Sequence, residues 1–199
     1  MAEHYLRQHA LAHRGFAASS PLADAGVHLW PQPPLIQLCL RGDGRRGFQG
    51  AVRRALGVAP PTRANTASVE GDVSILWLGP DEWLVVATQA RATLLADLES
   101  ALDGLHALVS DVSHSRIVLG LAGRNAREVL LKGCSLDLDP VAFATGQCAQ
   151  APLARAHVLL HQVGETPAYH VYVHRSFADY VYAWLHDAAS EYGVATTPG

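Results

Sequence analysis

The order strand, helix, hairpin, helix occurs twice along this chain, and that repetition limits the folds open to it more than any other feature. An apolar run at residues 35–40 reads as a strand. A helix with Phe48, Ala51, Val52, Ala55 and Leu56 on one face follows, with Gly57 as its stop. Residues 72–78 and 83–86 flank Gly79-Pro80-Asp81-Glu82, which is turn chemistry between two strands. Leu94, Leu95, Leu98, Ala101 and Leu102 then recur at helical spacing.

The second half repeats the order. A strand at residues 117–121 leads into a helix with Ala126, Val129 and Leu130 inward and Gly133 at its end. Strands around residues 158–160 and 169–173 are joined by Gly164-Glu165-Thr166-Pro167. A closing helix starts at Ser176 as N-cap and sets Phe177, Tyr180, Val181, Trp184, Leu185 and Ala188 on one stripe before Gly193. Leu40-Arg41-Gly42 answers Leu121-Ala122-Gly123, and Leu78-Gly79-Pro80 answers Val163-Gly164-Glu165, which points to an internal duplication. The predicted class is α+β: two βαββα, ferredoxin-like halves at 35–105 and 106–199, packed as one unit with helices on one face of each sheet. Residues 1–34, rich in Ala and Ser and closed by Pro31, Pro33 and Pro34, read as an N-terminal arm.

With 199 residues, 49% of them hydrophobic, the chain can bury a sizeable core without staples. A net charge of −3 with scattered arginines offers no footprint for nucleic acid or an anionic membrane. The N-terminus has no run resembling a signal peptide or a membrane span. Cys39, Cys134 and Cys148 are odd in number and widely spaced, which fits reduced thiols in the cytoplasm.

Three local patterns invite chemistry. Gly42-Asp43-Gly44-Arg45-Arg46-Gly47 spells G-x-G-x-x-G between a strand and a helix, but no acidic residue follows at the ribose-binding distance, so it reads as a turn. Asp111, Ser113 and His114 cannot form a triad in an extended segment, because His114 points away from the other two. Local hydrogen bonds at a strand boundary are the reading for Asp111 and Ser113.

The third pattern is histidine. A symmetric turn between Glu165 and Thr166 pairs His161 with His170 and His157 with His174. Val158, Leu160, Val171 and Val173 take the core face, leaving the histidines outward or at a subunit contact. His157 and His161 are about 13 Å apart at strand rise, so each pair offers a metal only two ligands where a structural zinc prefers four. Trp77 and Trp83, with His161 and His170, are candidates for a partner interface, and Trp184 reads as core.

The segment Asp111-Val112-Ser113-His114-Ser115-Arg116, followed by an apolar strand, Gly123 and an alanine-containing helix, resembles the aminomethyltransferase (T-protein) family of the glycine cleavage system. The gamma-subunit family of heterotetrameric sarcosine oxidases resembles it more closely still. That resemblance rests on Trp77-Leu78-Gly79-Pro80-Asp81-Glu82-Trp83-Leu84, Asp111-Val112-Ser113, Ser135-Leu136-Asp137-Leu138-Asp139 and Arg175-Ser176-Phe177-Ala178, and spans residues 35–192.

The resemblance implies a subunit of an enzyme that oxidatively demethylates sarcosine to glycine beside alpha, beta and delta subunits. FAD, FMN, NAD, zinc and tetrahydrofolate would be held in those other subunits, with no cofactor and no catalytic residue here. In the aminomethyltransferases an aspartate pair before the later hairpin lies at the folate site. Here no carboxylate stands between Pro152 and Gly164. The alternatives are a free-standing tetrahydrofolate-binding aminomethyltransferase-like protein and a histidine-lined metal or small-ligand module.

Overall fold

A computed structural model describes residues 9–14 and 25–197. The first strand, β1 (Val27–Pro31), precedes a unit made of β2 (Ile36–Gly42), α1 (Arg46–Leu56), β3 (Ala67–Glu70), β4 (Val73–Gly79), β5 (Glu82–Ala87), α2 (Leu94–Leu102) and β6 (Ala107–Asp111). The second unit runs β7 (Arg116–Ala122), α3 (Ala126–Leu131), β8 (Cys148–Leu153), β9 (Ala156–Gly164), β10 (Ala168–His174), α4 (Ala178–Ala189) and β11 (Val194–Thr196). Each unit is therefore a strand, a helix, a three-stranded meander, a helix and a strand.

The sheet orders make the duplication explicit. The first sheet runs β3-β4-β5-β2-β6 and the second β8-β9-β10-β7-β1-β11. Without β1 the two orders are the same. β1 is inserted between the strands that are neighbours in the first unit, antiparallel to β7 and parallel to β11.

Side-chain alternation builds four layers. In the first sheet Val73, Ile75, Trp83 and Val85 face α1 and α2, while Leu76, Leu84 and Val86 face the second sheet. In the second, Leu119, Leu121, Leu160 and Val171 face α3 and α4, while Val118, Cys148, Leu159 and Tyr172 meet the first. The result is helices, sheet, sheet, helices. α1 stops where the sequence predicts: Gly57 adopts φ 82°, and its N–H donates to Arg53 O at 2.9 Å.

Four expectations need correction. Residues 1–34 are not simply an arm. Val27, Leu29 and Pro31 are buried in β1 within the second sheet, and Leu11 is fully buried in the same core. Pro31 ends the strand, a position where a missing N–H costs little. The boundary at 105/106 also falls too early, because β6 completes the first sheet against β2, and the chain changes sheets after Asp111. In the last helix the buried positions are Ala178, Val181, Tyr182, Leu185, Ala188 and Ala189, whereas Phe177 and Tyr180 are exposed and Trp184 is half-buried against the core. The buried stripe centres on Ala178, Tyr182, Leu185 and Ala189, which pack into the core of the second unit. The Arg14 guanidinium lies over the Tyr182 ring, 4.9 Å from its centre, with Arg14 Nε donating to Asp179 at 2.6 Å. Ser176 supplies no cap; a short 3₁₀ turn, Arg175–Phe177, leads into α4.

Candidate functional site

β9 and β10 pair in the expected register from Tyr169 opposite Gln162 onward, after a register shift between Ala168 and Tyr169 that breaks the symmetry of the turn itself. His161 stands directly opposite His170, with ring centres 6.3 Å apart. The ladder reaches Val173 opposite Val158, and the exposed His157 and His174 follow it. The histidine face does not look outward, however. His161 is only 3% exposed, lying between the two sheets beside a cleft of about 490 Å³ bordered by β3, β4 and the Thr145-Gly146 turn. The alternation correctly separated the two faces of β9, but here both faces are covered.

Burial, helped by the neighbouring His170, pushes the His161 pKa down to about 4. Burial also lowers that of His170. Both rings are thus neutral near pH 7. His170 Nε2 lies 3.1 Å from the Gln32 side-chain amide, while His161 Nδ1 has no hydrogen-bond partner. Cys148 pairs with His161 in the next ladder, but its thiol points at Thr66 O and Trp77 O, 3.3 and 3.7 Å away. Among the described residues no three His, Cys, Asp or Glu side chains form a metal-sized group.

The other candidates resolve into local structure. Ser113 Oγ and N both donate to Asp111 Oδ1, at 2.5 and 2.8 Å, and Gln37 N donates to Ser113 Oγ at 2.9 Å. The bonds tie the segment between β6 and β7 to β2. In the glycine-rich turn, Asp43 Oδ1 accepts from Arg45 N at 2.9 Å, which sets a carboxylate where a phosphate would need a donor.

The tryptophans divide. Trp83 is 2% exposed, and its Nε1 donates to Pro61 O at 2.9 Å, so it belongs to the core of the first unit and not to an interface. Trp77 is half-buried and packs against both the first core and the inter-sheet layer. Sequence reasoning missed Gln32 and Gln37, which line the crossing between the two sheets, and Trp30, which packs over Gly120 of β7. The one available signal was the alternation of Val27, Leu29 and Pro31, which the surrounding prolines obscured.

A family model described as "Sarcosine oxidase, gamma subunit family" matches residues 41–191. The sarcosine oxidase subunit gamma of Corynebacterium sp. (strain U-96) is 36% identical over 195 residues, covering 96% of this chain and 93% of that one. A chain of the heterotetrameric sarcosine oxidase from Corynebacterium sp. U-96, solved with pyrrole 2-carboxylate, superimposes with a TM-score of 0.86 at 33% identity. The match covers 96% of this chain and 98% of that one. The aminomethyltransferase T of the glycine cleavage system from Bartonella henselae shares the fold at TM-score 0.64 and 16% identity, over 87% of this chain and 48% of that one. With a family match over most of its length and a relative that it covers almost end to end, the chain belongs to the sarcosine oxidase gamma subunit family.

Proposed function

We propose that this chain is a non-catalytic subunit of a heterotetrameric sarcosine oxidase, assembling with alpha, beta and delta subunits in the cytoplasm. The observation that carries the reading is the near end-to-end match to one chain of a solved heterotetramer. In that complex FAD, FMN, NAD, zinc and tetrahydrofolate would belong to the other subunits. Two features of the chain agree with a role in assembly. The run from Leu153 to Val163, across β8 and β9, carries no carboxylate for one-carbon chemistry, so an aminomethyltransferase fold is present without the acid such chemistry uses. Three free thiols suit a reducing compartment.

The test is co-expression of the tagged chain with candidate alpha, beta and delta subunits, followed by affinity purification, size exclusion and an absorbance spectrum. A yellow, sarcosine-oxidising complex holding this chain in stoichiometric amount is the expected result. A colourless, solitary chain that binds tetrahydrofolate would replace the reading with that of a free-standing folate protein.

A further inference from the structure

Where the chain crosses between the two sheets it leaves a second cavity, separate from the histidine cleft. The crossing segments Gln32-Pro33-Pro34-Leu35 and Ser113-His114 form two of its walls, and Arg116, at the start of β7, and Gln37, in β2, line the same space. Its volume is about 40 Å³. One water needs roughly 10–15 Å³ on this scale, so the space suits about three waters or a molecule of about five heavy atoms.

The charges around this cavity have one sign. The arginines Arg116 and Arg175 line it with His9 and His114, and among the described residues that line it there is no carboxylate. His9 feels that field: burial and then the Arg175 charge lower its pKa. Asp111, the nearest acid in sequence, has Oδ1 committed to the hydroxyl and amide of Ser113. Among the described residues Arg116 forms no ion pair, although it is only partly exposed. A guanidinium presents a planar fork of donors suited to a carboxylate.

Gln37 adds the opposite requirement. Its side chain is 2% exposed, and its Nε2 donates to the Arg116 carbonyl at 3.1 Å. Because a carbonyl can only accept, this bond fixes which end of the amide is nitrogen. The other end, Oε1, is buried without a partner. An unsatisfied buried acceptor costs about 1–3 kcal/mol, and what answers it is a donor, ideally a charged one.

A guanidinium with no ion-pair partner among the described residues and a buried, unanswered amide oxygen at one small cavity call for a ligand that is anionic at one end and a cationic donor at the other. We propose that this junction cavity binds a small amino-acid zwitterion, its carboxylate on Arg116 and its ammonium group on Gln37 Oε1. The cavity volume limits the ligand to the smallest members of that class, with hydrogen or methyl substituents. A bare anion would leave Gln37 Oε1 unanswered, and a bare amine would be repelled by the Arg116 guanidinium.

The site is read from this chain's own residues, so it stands or falls independently of assembly with other subunits. Glycine is the probe, titrated into the full-length chain by calorimetry and by ¹H–¹⁵N spectra, with acetate and methylamine as half-ligands. Saturable glycine binding is expected, with shifts confined to the residues of the two crossings and to Gln37 and Arg116. Hydrogen bonds to charged groups are worth about 1.5–3 kcal/mol each, so each half-ligand should bind at least about tenfold more weakly. Arg116→Met, which keeps the chain length and the backbone carbonyl, should cost at least as much. No saturable glycine binding below about 10 mM would overturn the proposal. So would acetate binding as tightly as glycine, which would remove Gln37 from the site, or Arg116→Met binding glycine unchanged.

Discussion

Trp30 occupies the space that a side chain at residue 120 would need. The two residues are directly opposed in the β1–β7 ladder, and a Cβ built on Gly120 would lie 2.1 Å from the indole. The glycine is thus a requirement of the inserted strand. Gly120→Ala should push the indole or the strand aside, and overpacking of this kind costs about 1–3 kcal/mol. Urea unfolding monitored by tryptophan fluorescence should show that loss. In Trp30→Ala the same glycine substitution should cost much less, because the obstacle is gone.

β1 should also be indispensable as a strand. It supplies the hydrogen bonds between β7 and β11 and buries Val27 and Leu29 completely. Removing residues 1–31 would open the second sheet between β7 and β11 and expose two rows of unpaired backbone groups. Such a chain is expected to be insoluble or to lose its cooperative transition. Leu29→Ala, which keeps the strand, should cost about 2–5 kcal/mol. Wild-type melting behaviour after the deletion would mean that the rest of the sheet closes without β1.

The parts of this fold that were legible in the sequence are those whose signal is local. β2 and α1, the β4–β5 hairpin, α2 and the β9–β10 hairpin announce themselves by period and by their turn residues. β1 was hidden because its pattern of Val27, Leu29 and Pro31 is followed by Pro33 and Pro34, and nothing nearby says that its partner lies some ninety residues away, at Leu119 to Ala122. β8, Cys-Ala-Gln-Ala-Pro-Leu, has little intrinsic strand preference and exists because β9 templates it. The burial of His161 was equally illegible: alternation divides a strand into two faces but cannot tell that a second sheet covers the polar one. Gln37 and Arg116 carry no motif at all, and they meet only because β2 and β7 enter the junction from different units.

The cysteines should differ sharply in reactivity. Cys148 is fully buried, and desolvation raises its pKa to about 11, so it should resist alkylation in the native state. Cys39 is half-exposed. Burial raises its pKa first, and then the Glu82 carboxylate, 3.6 Å from its sulfur, through charge and a hydrogen bond. Glu82→Gln should therefore increase the thiolate fraction of Cys39 and speed its alkylation at pH 8 by a few-fold, with Cys148 unchanged. Mass spectrometry of iodoacetamide-labelled peptides separates the two sites, and an unchanged Cys39 rate would show that Glu82 does not control that thiol.

His161 should make the fold acid-sensitive in a defined window. Its folded-state pKa, about 4, lies below the ordinary histidine value of 6.5, so the unfolded chain binds a proton that the folded chain refuses. Stability from this residue is therefore complete above pH 6.5, falls as the pH drops from 6.5 towards 4, and changes no further below that. A shift of this size corresponds to a loss on the order of 3 kcal/mol across the window, and His170, whose pKa is also lowered by burial, adds in the same direction. Urea unfolding at pH 7, 5.5 and 4 should show the wild type losing stability steadily. His161→Gln, which keeps polar atoms at the site but cannot titrate, should show a markedly shallower fall. If the two proteins lose stability in parallel, the acid sensitivity resides in other groups and the neutral imidazole between the sheets does not contribute to it.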